Sequence, residues 1–190
     1  MNFQQIRQVL KKHNLEVFTK QDFENIFDMG REVSAVKLSR YKKSSYFVSP
    51  KSGVFYLKGE VSNKFKIANK VYKPSYVSLD TALSKHGIIP ETVYTITSIT
   101  TKATREFNDD NTTYKYFRIK KQAYTGYVLA DDVFIADPEK SVVDYLYFVA
   151  LGKRVLNDRM DLTKLDKQKI YNYADLFDSK RLNNLLKRIF

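Results

Sequence analysis

Hydrophobic positions in the first thirty residues recur at the spacing of amphipathic helices. Residues 3–13 carry apolar side chains three or four positions apart, which predicts a first helix. A second helix is predicted to begin at Thr19, because Asp22 follows at the position where an acidic side chain completes a capping box. We expect Gly30 to end this region with a turn of positive φ.

The next segment combines a basic helix with two short runs of β-forming residues. A third helix is predicted over residues 34–44, with three apolar side chains on its inner face: Ala35, Leu38 and Tyr41. Residues 46–49 and Val54–Leu57 then flank a Pro-x-x-Gly turn, a pattern typical of a β-hairpin.

Helix, helix, turn, basic helix and hairpin is the order of elements in a winged helix-turn-helix. There the third helix enters the major groove of double-stranded DNA, and the hairpin contacts the backbone or the minor groove. Six basic residues and one acidic residue lie between Arg31 and Lys51. We therefore predict a DNA-binding domain over residues 1–60. Arg40 and Lys37 are predicted to contact bases, Lys43 and Lys51 to contact phosphates, and Arg31 and Ser34 complete the predicted set. The alternative is a small helical module that contacts proteins, with a lysine-rich face that only solvates it.

Residues 61–190 mix strands and helices, so the predicted fold class is α+β: an N-terminal winged helix-turn-helix followed by a larger mixed domain that ends in helices. Asp137 and Pro138 match the N-cap and first position of a long helix. The other predicted helices are Lys64–Val71, one from a Ser78 cap to His86, and two near 166–177 and 179–189. The predicted strands are residues 93–99, the hairpin of 105–107 and 113–119 around a turn at 108–111, and Val133–Ala136.

Charge and composition narrow the classes of function. The net charge is +12, and residues 122–190 hold 11 basic against 10 acidic side chains, so the excess lies in the first two-thirds. That distribution favours a polyanionic partner. The chain has no Cys, which excludes disulfides and thiolate metal sites. It also lacks a signal-peptide pattern and any apolar run near the roughly 20 residues of a membrane span, so we expect a cytoplasmic protein without a membrane partner.

Several segments of the second domain resemble the core of AbiEi-like antitoxins. They are YKPSYVSLDTAL at 72–83, GIIPE at 87–91, VYTITS at 93–98, TTK and TREF between 100 and 107, IADPEK at 135–140 and VDYL at 143–146. The resemblance covers about residues 1–150 and stops after Gly152. It implies the antitoxin half of a bacterial type IV toxin–antitoxin pair with a role in abortive phage infection. Such a protein represses its own operon through the winged helix, and its second domain counteracts a nucleotidyltransferase-like toxin, typically without a tight stable complex. We expect no enzymatic activity and no cofactor.

Two features of the second domain leave alternatives open. The loop with Lys102 and Arg105 is equally consistent with a phosphate site and with a hairpin that packs on its own sheet; Lys120 and Lys121 join the candidate DNA contacts because of the excess charge of residues 61–121. A weaker alternative function is a metal-dependent nuclease. It would use the acidic and lysine residues Asp80, Asp137, Glu139 and Lys140.

Overall fold

The computed structural model describes residues 1–109 and 112–190, and its contacts divide the chain into two compact units. Unit 1 contains residues 1–71 together with Phe107 to Asp109 of the described residues; unit 2 contains residues 72–106 and 112–190. The fold is a mixture of helices and strands, as the α+β prediction states. No helix in the described parts of the chain is long and apolar enough to cross a membrane.

Unit 1 consists of four helices and a small antiparallel sheet with strand order β1-β3-β2. Local caps explain the first two helices. Asn2 and Gln5 form a capping box at the start of the first helix, and Thr19 and Asp22 form the predicted one at the start of the second. The elements are α1 (Phe3–Lys12), β1 (Val17–Thr19), α2 (Lys20–Phe27), α3 (Arg31–Lys43), β2 (Phe47–Lys51), β3 (Val54–Leu57) and α4 (Lys64–Val71). Helix α4 follows the predicted domain boundary at residue 60, yet its contacts place it in unit 1.

A cluster of buried aromatic and aliphatic side chains holds α1, α2 and α3 on the sheet. Phe18 is fully buried, and its ring lies between 5.2 and 6.0 Å from those of Phe23, Phe47 and Phe55. Burial of large side chains of this kind stabilises a fold by about 1.5–3 kcal/mol each. The buried cluster comprises Ile6, Leu10, Phe18, Phe23, Phe27, Leu38, Phe47 and Leu57.

Helix α3 differs from its prediction in its start and in its buried face. It begins at Arg31, and Gly30 is the N-cap with φ −59°, whereas Asp28 takes the left-handed conformation that ends α2. Asp accepts that conformation because its short side chain bonds locally. The buried residues of α3 are Ser34 and Leu38, and Ala35 is exposed. The prediction that Ala35 faces inward was therefore wrong. Ser34 and Leu38, four residues apart, define the buried face of α3.

Unit 2 contains four α-helices and most of a six-stranded mixed sheet of order β6-β7-β5-β4-β9-β8. The last two residues of β6, Phe107 and Asn108, are assigned to unit 1. Strands β5 and β7 are parallel, and so are β4 and β9. The elements are β4 (Ser75–Val77), α5 (Asp80–Lys85), β5 (Ile96–Thr100), β6 (Arg105–Asn108), β7 (Thr113–Arg118), β8 (Tyr127–Ala130), β9 (Val133–Ala136), α6 (Pro138–Ala150), α7 (Lys167–Asp175) and α8 (Lys180–Ile189). Residues Asp110 and Asn111 of the predicted turn lie outside the described residues.

Helix α6 packs against α5, α7, α8 and β9, and it begins as predicted. The Asp137 side chain accepts a hydrogen bond from the backbone of Lys140 at 2.8 Å, with Pro138 in the first turn. Ser179 caps α8, also as predicted. Ser78, however, does not cap α5: Leu79 is its N-cap, at φ 58°.

Ser78 instead contributes to a buried polar network around Asp144 of α6. The Asp144 carboxylate accepts from the hydroxyls of Tyr76 at 2.9 Å and Ser78 at 2.8 Å, and it pairs with the Lys140 ammonium one turn earlier. Asp144 and Lys140 are both fully buried. Burial raises the pKa of Asp144 and lowers that of Lys140, so each charge depends on the other. The network fastens β4 to α6.

Replacement of Asp144 by Ala is expected to destabilise the chain severely. The change leaves the Lys140 ammonium buried without a counter-ion and removes the acceptor for two hydroxyls, which costs about 3–5 kcal/mol. Urea unfolding followed by circular dichroism measures the loss. Asp175→Ala, at an exposed position of α7, is the control and should stay within about 0.5 kcal/mol of the parent. A loss below about 1 kcal/mol for Asp144→Ala would show that the network does not hold β4 to α6.

Candidate nucleic-acid interface

The face of α3 opposite its buried side carries two apolar and two basic side chains in a stripe. Val33, Val36, Arg40 and Lys43 follow one another at three- and four-residue steps, so they share one face of the helix. All four are exposed, with Val33 at 53% and Val36 at 61%. We call this set the α3 stripe. A shallow depression beside it is lined by Ala35, Val36, Ser39, Arg40, Lys43 and Ser44.

The other residues predicted on α3 differ in accessibility. Arg31 is exposed at the start of the helix, and Lys37 is half-buried at the margin of the stripe. Ser34 is fully buried, and its hydroxyl donates to the carbonyl oxygen of Met29 at 3.4 Å. Ser34 therefore belongs to the interior of unit 1 and is removed from the set of candidate contacts.

Five basic side chains of unit 1 outside α3 form ion pairs with acidic ones. Arg7 and Lys11 of α1 both pair with Glu60, at 2.5 and 2.9 Å. Burial raises the pKa of Glu60, but the hydrogen bonds and charges of Lys11 and Arg7 outweigh it and hold the pKa below its ordinary value. Further pairs join Lys20 to Glu24, Lys66 to Glu16 and Lys70 to Asp22.

The basic side chains of α3 have no such partners. Within residues 1–109 and 112–190, no ion pair joins Arg31, Lys37, Arg40, Lys42 or Lys43 to a carboxylate. The helix has one acidic residue, Glu32, in its first turn. The positive charge of α3 is therefore available to an anion from outside the chain.

The hairpin of β2 and β3 adds less free charge than the sequence predicts. The Lys51 ammonium donates to the carbonyl oxygen of Val71 at 3.1 Å and lies 5.4 Å from the centre of the Phe107 ring. Lys51 is half-buried. These contacts hold its side chain against unit 1, and a phosphate contact would require it to give up the carbonyl.

The sheet of unit 2 brings the second group of predicted basic residues to one edge. Because β5 and β7 are parallel, with Thr100 opposite Arg118, the residues that follow both strands lie at the same edge. Lys102 follows β5, and Lys120 and Lys121 follow β7. The backbone amide of Arg118 donates to the Thr104 hydroxyl at 3.2 Å, which places the start of β6, at Arg105, beside them. We call this group the unit 2 edge: Lys102, Arg105, Arg118, Lys120 and Lys121, all of them exposed.

Two members of the unit 2 edge have contacts within unit 2. The Lys102 ammonium lies 5.7 Å from the centre of the Tyr72 ring. The Lys120 ammonium lies 3.4 Å from the carbonyl oxygen of Asp178 and 3.9 Å from its carboxylate, and Asp178 is 89% exposed. Arg118 was missed at the sequence level, because only the parallel pairing of β5 and β7 places it beside Lys102.

The four residues of the nuclease alternative have structural partners and do not form one open site. Asp137 accepts from the Tyr173 hydroxyl at 2.6 Å, and both Asp137 and Glu139 pair with Lys169 of α7. Burial raises the pKa of Glu139, but hydrogen bonds from Lys169 and the backbone outweigh it and hold the pKa below its ordinary value. Lys140 is buried with Asp144, and Asp80 pairs with Arg154.

No cluster of three or more His, Asp or Glu side chains suited to a metal ion occurs among the described residues. His13 and His86 occupy the C-caps of α1 and α5, as the sequence predicts. His86 also lies 2.8 Å from the carbonyl oxygen of Ala136.

Three of the segments on which the expected likeness to AbiEi-like antitoxins rests contribute residues to the interior of unit 2. Tyr76 and Ser78 come from the first segment and Asp144 from the last, and the Thr97 hydroxyl donates to the carbonyl oxygen of Ser78 at 2.6 Å. These residues hold the fold together. No family model matches the chain, and no curated protein matches it significantly.

Proposed function

We propose that the chain binds double-stranded DNA, with α2 and α3 acting as a helix-turn-helix and the β2–β3 hairpin as its wing. The observation that carries the proposal is that all five cations of α3 lack a carboxylate partner among the described residues, whereas each of the other unit 1 helices has at least one cation paired with a carboxylate. The major groove, about 12 Å wide, admits one α-helix, and its walls are phosphates. Arg40 and Lys43 extend from the exposed face that would enter the groove.

The order and packing of unit 1 support this mode of binding over a purely solvating role. Helix α3 is held by Leu38 and Ser34 on one side only, so its opposite face is presented as a rigid surface. A helix that is already folded loses little conformational entropy on binding. A surface that served only for hydration would need neither a continuous exposed stripe nor cations without acidic partners.

The resemblance of unit 2 extends the proposal to a biological role. We propose an antitoxin of a type IV toxin–antitoxin pair that represses its own operon and counteracts a nucleotidyltransferase-like toxin. Three of the segments that carry the resemblance contribute to the buried polar contacts of unit 2, which supports a shared scaffold. The exposed unit 2 edge is then the surface on which this chain would add contacts to operator DNA.

Removal of one unpaired cation should reduce both the affinity for DNA and its dependence on salt. Each lost phosphate contact lowers the slope of log K against log salt by about 0.9, so Lys43→Ala should show this change on the promoter DNA of the chain's own gene. Lys11→Ala is the matched control, because it changes the net charge equally but removes a cation that already forms an ion pair with Glu60. Fluorescence anisotropy at several salt concentrations measures both.

Equal losses for Lys43→Ala and Lys11→Ala would mean that only net charge matters, and the assignment to α3 would be wrong. An Arg31/Lys37/Arg40/Lys43 quadruple Ala variant that kept full affinity would contradict it as well. Circular dichroism melting of each variant separates lost binding from lost structure.

Removal of four of the five cations of the unit 2 edge should weaken operator binding further. A Lys102/Arg105/Lys120/Lys121 quadruple Ala variant is expected to have lower affinity and a flatter salt slope, since up to four phosphate contacts are lost. Affinity and protection of cells from the toxin are measured on the same variant. Normal operator binding with lost protection would assign this charge to an acidic toxin surface or an RNA instead.

A further inference from the structure

The α3 stripe exposes two valines that the packing of unit 1 does not explain. Single exposed apolar residues are common on protein surfaces and need no reason. Val33 and Val36, however, lie on adjacent turns of one helix face, and Arg40 and Lys43 continue that face without acidic partners among the described residues. Tyr46, another exposed large apolar residue of unit 1, stacks on Phe3 at 4.0 Å. The stripe is thus apolar in its N-terminal half and cationic in its C-terminal half.

We infer that Val33 and Val36 determine sequence specificity by contacting the C5-methyl groups of thymine in the major groove. This inference rests on the proposed binding of DNA by α3. The thymine methyl is the apolar group that a base pair presents in that groove, and valine offers no donor or acceptor for the other edges. Residues near the N-terminus of a recognition helix commonly contact base edges.

The spacing of residues along the α3 stripe also limits the distance between a contacted thymine and a contacted guanine. Val36 and Arg40 are four residues apart, about 6 Å along the helix axis. Arg contacts guanine with two hydrogen bonds. At roughly 3.4 Å of duplex per base pair, a thymine that Val36 contacts should lie within about two base pairs of a guanine that Arg40 contacts. Val side chains suit the role because a β-branched side chain in a helix has one strongly preferred rotamer, so little freedom is lost on contact.

Charge argues against a second copy of this chain as the occupant of the stripe. A two-fold contact through α3 would bring Arg40 and Lys43 of each copy together, and like charges opposed across an interface are unfavourable. A duplex with phosphates on both sides of the groove satisfies the cations and the valines at once.

The test replaces single thymines of the bound duplex with uracil, which lacks only the methyl group. The site is first selected from a random duplex library with the full chain. Loss of one buried methyl contact should weaken binding about three- to fivefold, at one or two thymines and not at the others. Val36→Ala or Val33→Ala should bind the thymine duplex more weakly, and the effect of uracil at the matching position should disappear. Val155→Ala, at an 88% exposed position of unit 2, is the control and should keep the full uracil effect.

The outcomes separate the inference from the function on which it rests. Specific binding with no loss at any uracil, or an equal loss in the parent and in both valine variants, overturns the inference and leaves DNA binding intact. Failure to select any sequence overturns the proposed function itself. If Val33→Ala and Val36→Ala change the sedimentation of the free chain and not its DNA specificity, the stripe is a protein interface and the inference is wrong.

Discussion

A carboxylate without access to water is the strictest constraint in unit 2. Asp144 is fully buried, so its charge requires donors, and it receives them from Lys140 in its own helix and from Tyr76 and Ser78 near β4. A second acidic residue, Asp137, caps the same helix and bonds to Tyr173 of α7. Helix α6 is consequently joined by polar contacts to the sheet on one side and to α7 on the other. A buried charge that loses a partner costs far more than an exposed one, so each of these residues restricts its neighbours.

On the surface of unit 1, by contrast, some cations have carboxylate partners and those of α3 have none among the described residues. Glu60 pairs with Arg7 and Lys11 of α1, and Asp22 pairs with Lys70 of α4, so part of the positive charge of these helices is offset within the chain. Helix α3 keeps its positive charge because its single carboxylate, Glu32, forms no ion pair with its five cations among the described residues. Binding of a polyanion is most favourable at cations that have no ion pair within the chain, since no internal contact must first break. The candidate interface follows from which cations are left unpaired, rather than from the total of +12.

Features fixed by neighbouring residues could be predicted from the sequence. Thr19, Asp137 and Ser179 cap helices as expected, because a cap depends on three or four consecutive residues. Features that depend on distant parts of the chain could not. Ser78 has the pattern of a cap, but a carboxylate 66 positions away takes its hydroxyl. The three-residue strand β4 has no periodicity to detect, and Arg118 joins Lys102 only through a parallel pairing.

Backbone amide chemical-shift mapping can locate the contact that we propose between the exposed face of α3 and DNA. The full chain, labelled with nitrogen-15, is titrated with the selected duplex and with a scrambled duplex of equal length. We expect the largest shifts specific to the selected duplex to fall on α3, around Val33, Val36 and Arg40. Specific shifts confined to unit 2, with α3 unchanged, would contradict the proposal.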